Sequence, residues 1–393
     1  MSKILISCGP IPTRLDSVKF ITNRFKGGLA FKTAEKLYEM GHEIIIVKWK
    51  YTEISFGASI GIGTFGIGST GTPPNVGTVT IVNVEDVNDY CDKVLKIKAD
   101  VYVMAAAVAN LMPSNPWKGK FPSHQYKVGE KFNIEFEIAP RIIDLIKKEY
   151  PRSALVGYKL FDGDEKQLID AGWETLINSK ANIVFANHPA WAKERKIMLT
   201  LDGAEINVSF DEHIQWINNL ANSKYYKTFK HDGNVFDDVT KEEYEEINSI
   251  MQLYPKCEKR GMTFGCFAYK LDKGEGTFIT TSRGKKDSGF SKVISIDHET
   301  RTIETICSKA TLNAPLLDIV FKNNPRYKIL IHSHNTIESF LNLPYELPGT
   351  DREVEIAKRI HFELSVGFNI QNHGYIAGFK TFEGYKHFLQ IYK

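Results

Sequence analysis

KILISCGPIPTRLDSVKFITNRFKGGLAFKTAEKLYEMGHEIIIVK, residues 3–48, reads as two strands joined through one helix. Lys3 to Ser7 is a short apolar run that ends at a Gly/Pro turn. Gly28 to Met40 places apolar residues at helical spacing, and Gly41 is a good terminator for that helix. Glu43 to Lys48 is a near-continuous β-branched run, the kind buried on both faces in a parallel sheet. The opening is therefore a βαβ unit. Between strand and helix lie Thr13, Asp16, Asn23, Arg24, Lys26, Gly27 and Gly28. Free amides at a helix start, adjacent glycines and flanking cations suit an anion, so a phosphate is expected there.

The pattern continues outward. Asp100 to Ala109 and Ala181 to Ala186 read as buried strands, and Pro140 to Glu149 as a helix. Strands alternating with helices predict a doubly wound α/β sheet. Gly57 to Gly77 is dense in glycine and ends near paired prolines, which predicts a flexible loop over a cleft despite its GIG repeats. Between Asn222 and Glu258 the chain turns polar and tyrosine-rich, with a helix expected at Thr240 to Leu253. The boundary is set there, giving domains at 1–222 and 235–393. Further on, β-like runs at Thr277–Thr280, Lys292–Ile296 and Lys328–His332 alternate with two helical stretches.

Composition agrees with two domains. The 393 residues exceed one ordinary core at about 150 residues per domain, and 42% hydrophobic with 25% charged residues is the balance of a globular chain. A net charge of +3 with scattered cations predicts no nucleic-acid partner. Five cysteines without a CxxC pair suit a reducing compartment. No run approaches the roughly 18 apolar residues of a membrane span, and no leader is evident. The expectation is a cytoplasmic protein with no membrane partner.

The segment PTRLDSVKFITNRFKGGLAFKTAEKL resembles the opening of phosphopantothenoylcysteine synthetases, and later segments match in the same order. Thr72-Pro73-Pro74 resembles that family's proline turn. AAAVANLMPSNPWKGK, from Ala105, resembles its Ala-Ala-Ala-Val-Ala-Asp-Tyr segment and the lysines after it, here Lys118 and Lys120. Ala186-Asn187 matches its Ala-Asn-Asp. The resemblance covers roughly 200 residues and implies a Rossmann-like fold and a carboxylate–amine ligase using CTP or ATP with Mg²⁺. It further implies that Asn23 holds an acyl intermediate, that Lys120 neutralises phosphate charge, and that Gly27 and Gly28 allow close backbone approach. Gly9, Asp16, Ala107, Asn110, Lys118 and Asn187 complete the implied nucleotide and phosphate site. The sequence departs from the pattern at Cys8-Gly9-Pro10, at Asn110 in place of an aspartate, and at Ile138-Ala139-Pro140.

RYKILIHSHN carries a second chemistry. His332 and His334 stand two apart at a strand end, so alternation points both imidazoles one way, and His373 precedes a glycine in QNHGYIAGF. Three neutral imidazoles with an open position suit Zn²⁺ or another divalent transition metal. His-x-His, then Leu347-Pro348-Gly349-Thr350, then Asn-His-Gly is the order of the class II aldolase/adducin family, which this half resembles over about 130 residues. GMTFGCFA and FITTSRGKK resemble two further segments, which implies that Thr281 and Ser282 bind phosphate.

That resemblance implies a class II aldolase-like α/β domain, a metal-dependent lyase, epimerase or dehydratase, and a phosphorylated small-molecule substrate. Asn313 takes the position of the family's catalytic glutamate, and Cys266 that of a phosphate-binding asparagine. An asparagine accepts no proton at neutral pH, which leaves Glu338, Glu346 and Asp351 as candidate bases. The whole chain then reads as a bifunctional enzyme and homo-oligomer. The alternative is a binding or scaffolding protein in which one or both domains have lost catalysis.

Overall fold

The computed structural model describes residues 1–53, 78–272, 276–285, 289–359 and 366–392. The glycine-rich segment 57–77 and Thr72-Pro73-Pro74 lie outside the described residues. The chain forms two compact units, Met1–Leu201 with Ile206–Asn222, and Asp202–Glu205 with Ser223–Lys393.

The first unit is built on β1 (Lys3–Cys8), α1 (Gly28–Glu39), β2 (Glu43–Trp49), β3 (Val79–Val84), α2 (Val87–Lys96), β4 (Val101–Met104), α3 (Ile143–Glu149), β5 (Ala154–Leu160), α4 (Glu165–Ser179), β6 (Ile183–Asn187), β7 (Arg195–Thr200), β8 (Glu205–Ser209) and α5 (Phe210–Asn222). The sheet runs β3-β2-β1-β4-β5-β6-β7-β8. β1 to β6 pair in parallel, and β7 is antiparallel to β6. The order reverses between β1 and β4, which is where open α/β sheets place their ligand crevice, at the carboxyl ends of the strands. Ile44, Ile46 and Val47 have no exposed surface and Ile45 only 5%. Burying each such side chain contributes about 1.5–3 kcal/mol, so β2 is held from both faces.

The second unit comprises β9 (Lys227–His231), α6 (Lys241–Leu253), β10 (Cys266–Lys270), β11 (Phe278–Thr281), β12 (Phe290–Asp297), β13 (Thr302–Ile306), α7 (Ala314–Asn323), β14 (Ile329–Ser333), β15 (Leu341–Leu343), α8 (Asp351–Lys358), β16 (Gly367–Ile370), β17 (Gly374–Phe379) and α9 (Phe382–Ile391). Its sheet order is β9-β13-β12-β11-β10-β14-β17-β16-β15. The interior pairs are antiparallel, and the edge pairs β9/β13 and β15/β16 are parallel. The polar stretch read as the join at 223–234 instead supplies β9, an edge strand, where one face meets water and charged side chains are tolerated. Phe267, Tyr269, Ile329, Ile331, Ala377 and Tyr385 form the centre of a buried core under the sheet, into which Ile247 and Ile250 of α6 insert.

Candidate functional site

In the first unit the loop after β1 closes on itself. Gly27 has φ +82°, and a Cβ there would collide with the backbone of Gly9, itself at φ +74°. Only glycine fits this approach. Gly27 is also the N-cap of α1, with no side chain bonded to the helix start and no acid in the first turn. Pro10–Ile11 pairs in parallel with Ala107–Val108, and Ala107 N–H donates to Gly9 O at 2.9 Å. Asn23 Nδ2 donates to Ala107 O at 3.0 Å. Gly9, Asn23, Gly27, Gly28 and Ala107 are thus gathered at the β1/β4 switch point.

Asp16 has a different part. Its side chain is fully buried, Oδ1 accepts from the Val18 and Lys19 amides at 2.7 and 2.6 Å, and Oδ2 from Lys19 Nζ at 2.9 Å and Phe121 N–H at 3.0 Å. Burial opposes its charge, and these four donors outweigh burial to hold the carboxyl below its ordinary range. It fastens the loop to residues 117–121, as do Trp117 N–H to Leu15 O and Ser17 N–H to Gly119 O. Lys118 and Lys120 are exposed on that fastened segment. Asn110 has an exposed side chain, and its carbonyl accepts from Ala139 N–H. Asn187 ends β6 on the same sheet edge, where its Oδ1 is buried without a hydrogen-bond partner.

In the second unit His332 is the penultimate residue of β14, His334 directly follows the strand, and His373 immediately precedes β17. One ligand nitrogen from each lies within 4.8 Å of the others. The ring centroids are 5.1 Å apart for His332 and His334, 5.0 Å for His332 and His373, and 4.4 Å for His334 and His373. Gly374 explains the Asn-His-Gly order. At φ +139°, a Cβ there would overlap Ser333 O and approach His334 Cα, so glycine alone lets the two histidine-bearing segments meet. His332 Nδ1 lies 3.0 Å from Tyr375 O. A carbonyl only accepts, so Nδ1 carries the proton and Nε2 the lone pair. His373 Nε2 is buried and makes no hydrogen bond. Burial, and after it His332, His334 and Lys259, keep His373 well below the ordinary histidine range and hence neutral. Three imidazoles clustered in this way fit a divalent transition metal.

Asp202 was not legible as part of this site. Its Oδ2 lies 3.3 Å from His373 Nδ1 and accepts from Tyr345 OH at 2.8 Å. Sequence order places it far from the histidines, and no motif marks it. Of the three acids anticipated as bases, Glu346 is held by two bonds from Arg352, Asp351 Oδ1 accepts from Lys224 N–H, and Glu338 is exposed. Glu353 is the buried carboxyl in this region. Burial raises it well above its ordinary range, Gly349 N–H opposes this, and Asp202 and Glu346 add to it.

Thr281, Ser282 and Asn313 come together at one corner. Thr311 N–H donates to Thr281 O at 3.1 Å, and Ser282 bridges to Ala310. Thr281 Oγ1 and Asn313 Nδ2 are buried there without hydrogen-bond partners. The pairings Cys266 with His332 and Ala268 with Thr280 put this corner on the same sheet edge as the histidines.

Residues 1–215 match the family model of the DNA/pantothenate metabolism flavoprotein C-terminal domain. This chain belongs to that family. The coenzyme A biosynthesis bifunctional protein CoaBC of Thermococcus kodakarensis is 27% identical over 187 residues. That match takes in 47% of this chain and 41% of the relative, so the chain spans less than half of that protein's length. A crystal structure of the C-terminal domain of a coenzyme A biosynthesis bifunctional protein CoaBC covers 55% of this chain and 91% of its own, at 23% identity and TM-score 0.39. YgbL of Klebsiella pneumoniae, described as a putative aldolase/epimerase/decarboxylase, covers 41% of this chain and 87% of its own, at 15% identity and TM-score 0.28. Among the described residues, no helix is long and apolar enough to cross a membrane.

Proposed function

We propose that the chain is a bifunctional enzyme, with a CTP- or ATP-dependent carboxylate–amine ligase in its first unit and a divalent-metal-dependent aldolase, epimerase or dehydratase in its second. The observation that carries the second assignment is the three-histidine cluster, with His373 Nε2 buried and unsatisfied. Leaving such a nitrogen without a partner costs about 1–3 kcal/mol, which a structural histidine has no reason to bear. Bound at His332, His334 and His373, a divalent cation would supply Lewis acidity to the oxygens of a phosphorylated small molecule. The chain's own residues do the rest. Thr281 Oγ1 and Asn313 Nδ2 offer hydrogen bonds to substrate, and Tyr375 O and Gly374 fix where the imidazoles stand.

For the first unit the reading rests on family membership and on the loop cluster at the switch point. Gly27 starts α1 with no side chain bonded to its first amides, which suits a phosphate there, Asn23 stands in the same loop cluster with its amide, and Lys118 and Lys120 bring positive charge. The test is pyrophosphate release by the purified protein with Mg²⁺ and either CTP or ATP, with and without 4′-phosphopantothenate and cysteine. Release that depends on the acid supports the ligase and identifies its nucleotide. Absence of release under every combination rejects it. In parallel, one equivalent of zinc per chain that is lost in His373→Ala supports the second assignment.

A further inference from the structure

We infer that Asp202, held by Tyr345, is the carboxylate that positions His373 for metal binding. The inference rests on the three-histidine reading above. Metal-ligating histidines characteristically pass their second ring proton to a carboxylate or a backbone carbonyl, which fixes the tautomer, orients the ring and makes the ligand nitrogen more basic. His332 has such a partner in Tyr375 O at 3.0 Å. Asp202 stands in the same relation to His373, with Oδ2 3.3 Å from Nδ1. At that separation Nδ1 makes no hydrogen bond, and the contact is the approach of a carboxylate oxygen to the polar nitrogen edge of a neutral ring. A carboxylate can only accept. Pairing with Asp202 therefore keeps the proton on Nδ1 and presents Nε2, as the carbonyl does for His332.

The carboxylate is itself held. Tyr345 OH donates to the same Oδ2 at 2.8 Å, and the Tyr345 ring packs 5.3 Å from that of His373. The neighbouring residue presses against the third histidine. Gly203 sits at φ +95°, and a Cβ there would lie 3.1 Å from His334 Cε1 and 3.0 Å from the Phe264 ring. Lys259 Nζ approaches Gly203 O at 3.5 Å. The Asp202–Gly203 turn is thus pinned at both residues against the cluster it serves. Asp202 lies 143 residues before Tyr345, and within the 1–215 span of the family model, outside the stretch in which the histidine motif is recognised.

The experiment uses the full chain. Zinc affinity is measured by competition with a chromophoric chelator, and the ligand field by the visible spectrum of the Co²⁺ form, for wild type, Asp202→Asn, Asp202→Ala, Asp202→Glu, Tyr345→Phe and His373→Ala. Loss of a carboxylate partner of this kind weakens metal binding about 10–100-fold. Asp202→Ala is expected to show that loss with an altered Co²⁺ spectrum. Asp202→Asn should lie between it and wild type, because an amide oxygen still accepts, and Asp202→Glu should restore part of the affinity. Thermal melts of the metal-free proteins separate this from misfolding, and the near-isosteric Asp202→Asn carries the comparison should Asp202→Ala unfold. Wild-type affinity and spectrum in both Asp202→Ala and Asp202→Asn would overturn the inference while leaving the histidine site standing. Failure of wild type itself to bind zinc or cobalt at one per chain overturns both.

Discussion

Gly374 leaves no space for a methyl group, because its Cβ would fall on Ser333 O. Gly374→Ala must therefore part the two segments that bring His373 to His332. It is expected to lower stability by about 2 kcal/mol or more and to abolish zinc binding, read from urea midpoints and metal titration. His213 offers a test in the first unit. Burial, with Lys196 nearby, pulls it down to about 3, against a carbonyl of Phe210 that favours its charge. Since the unfolded histidine titrates near 6.5, the unfolded chain binds the extra proton between those values, and stability falls as pH drops through that window. The slope is at most about 1.4 kcal/mol per pH unit, and urea unfolding of His213→Gln from pH 6.5 to 4 should show a shallower decline than wild type. Residue identity made the histidines legible, since two-residue spacing on a strand and a following glycine are local signals. Asp16 is the contrary case. Its sequence context suggested a phosphate site, yet Val18 and Lys19 supply three of the four donors that close around it and Phe121, far along the chain, supplies the fourth.

Elements with strong periodicity were the easiest to read. β2 was anticipated at Glu43 to Lys48 and runs Glu43–Trp49, and α6 was anticipated at Thr240 to Leu253 and runs Lys241–Leu253. Both carry explicit end signals. Downstream of α6, two helical stretches were expected, and the described residues contain three, α7, α8 and α9. Of the three, α7 carries the weakest periodic signal, since Ala314 to Phe321 are all buried and show no polar face by which helical period can be recognised. Capping gives a direct test at this scale. Asp164 caps α4 by accepting from Gln167 N–H at 2.8 Å, while Gln167 returns a bond to the Asp164 amide at 3.2 Å. Asp164→Ala removes the first of these and is expected to cost about 1 kcal/mol in chemical denaturation.

For the molecule as a whole, the second sheet carries a site that native structure assembles from Asp202, β14 and the start of β17, and the unfolded chain has no such assembly. A ligand of the folded state alone stabilises it, by about 2.7 kcal/mol at a hundredfold excess over its dissociation constant. Zinc is therefore expected to raise the melting temperature of wild type and to leave His332→Ala unmoved, as calorimetry with and without a chelator will show.

The placement of residues 202–205 bears on how such a gene can be divided. By its contacts the chain changes unit three times, at 201/202, 205/206 and 222/223, and not once. A single break after residue 222 yields two polypeptides that look like whole domains by sequence. The downstream one, however, leaves Asp202 behind on its neighbour. Genetic fission at that point would hand the histidines to one product and their carboxylate to the other, so two separately translated halves would have to reassociate to recover what one reading frame provides.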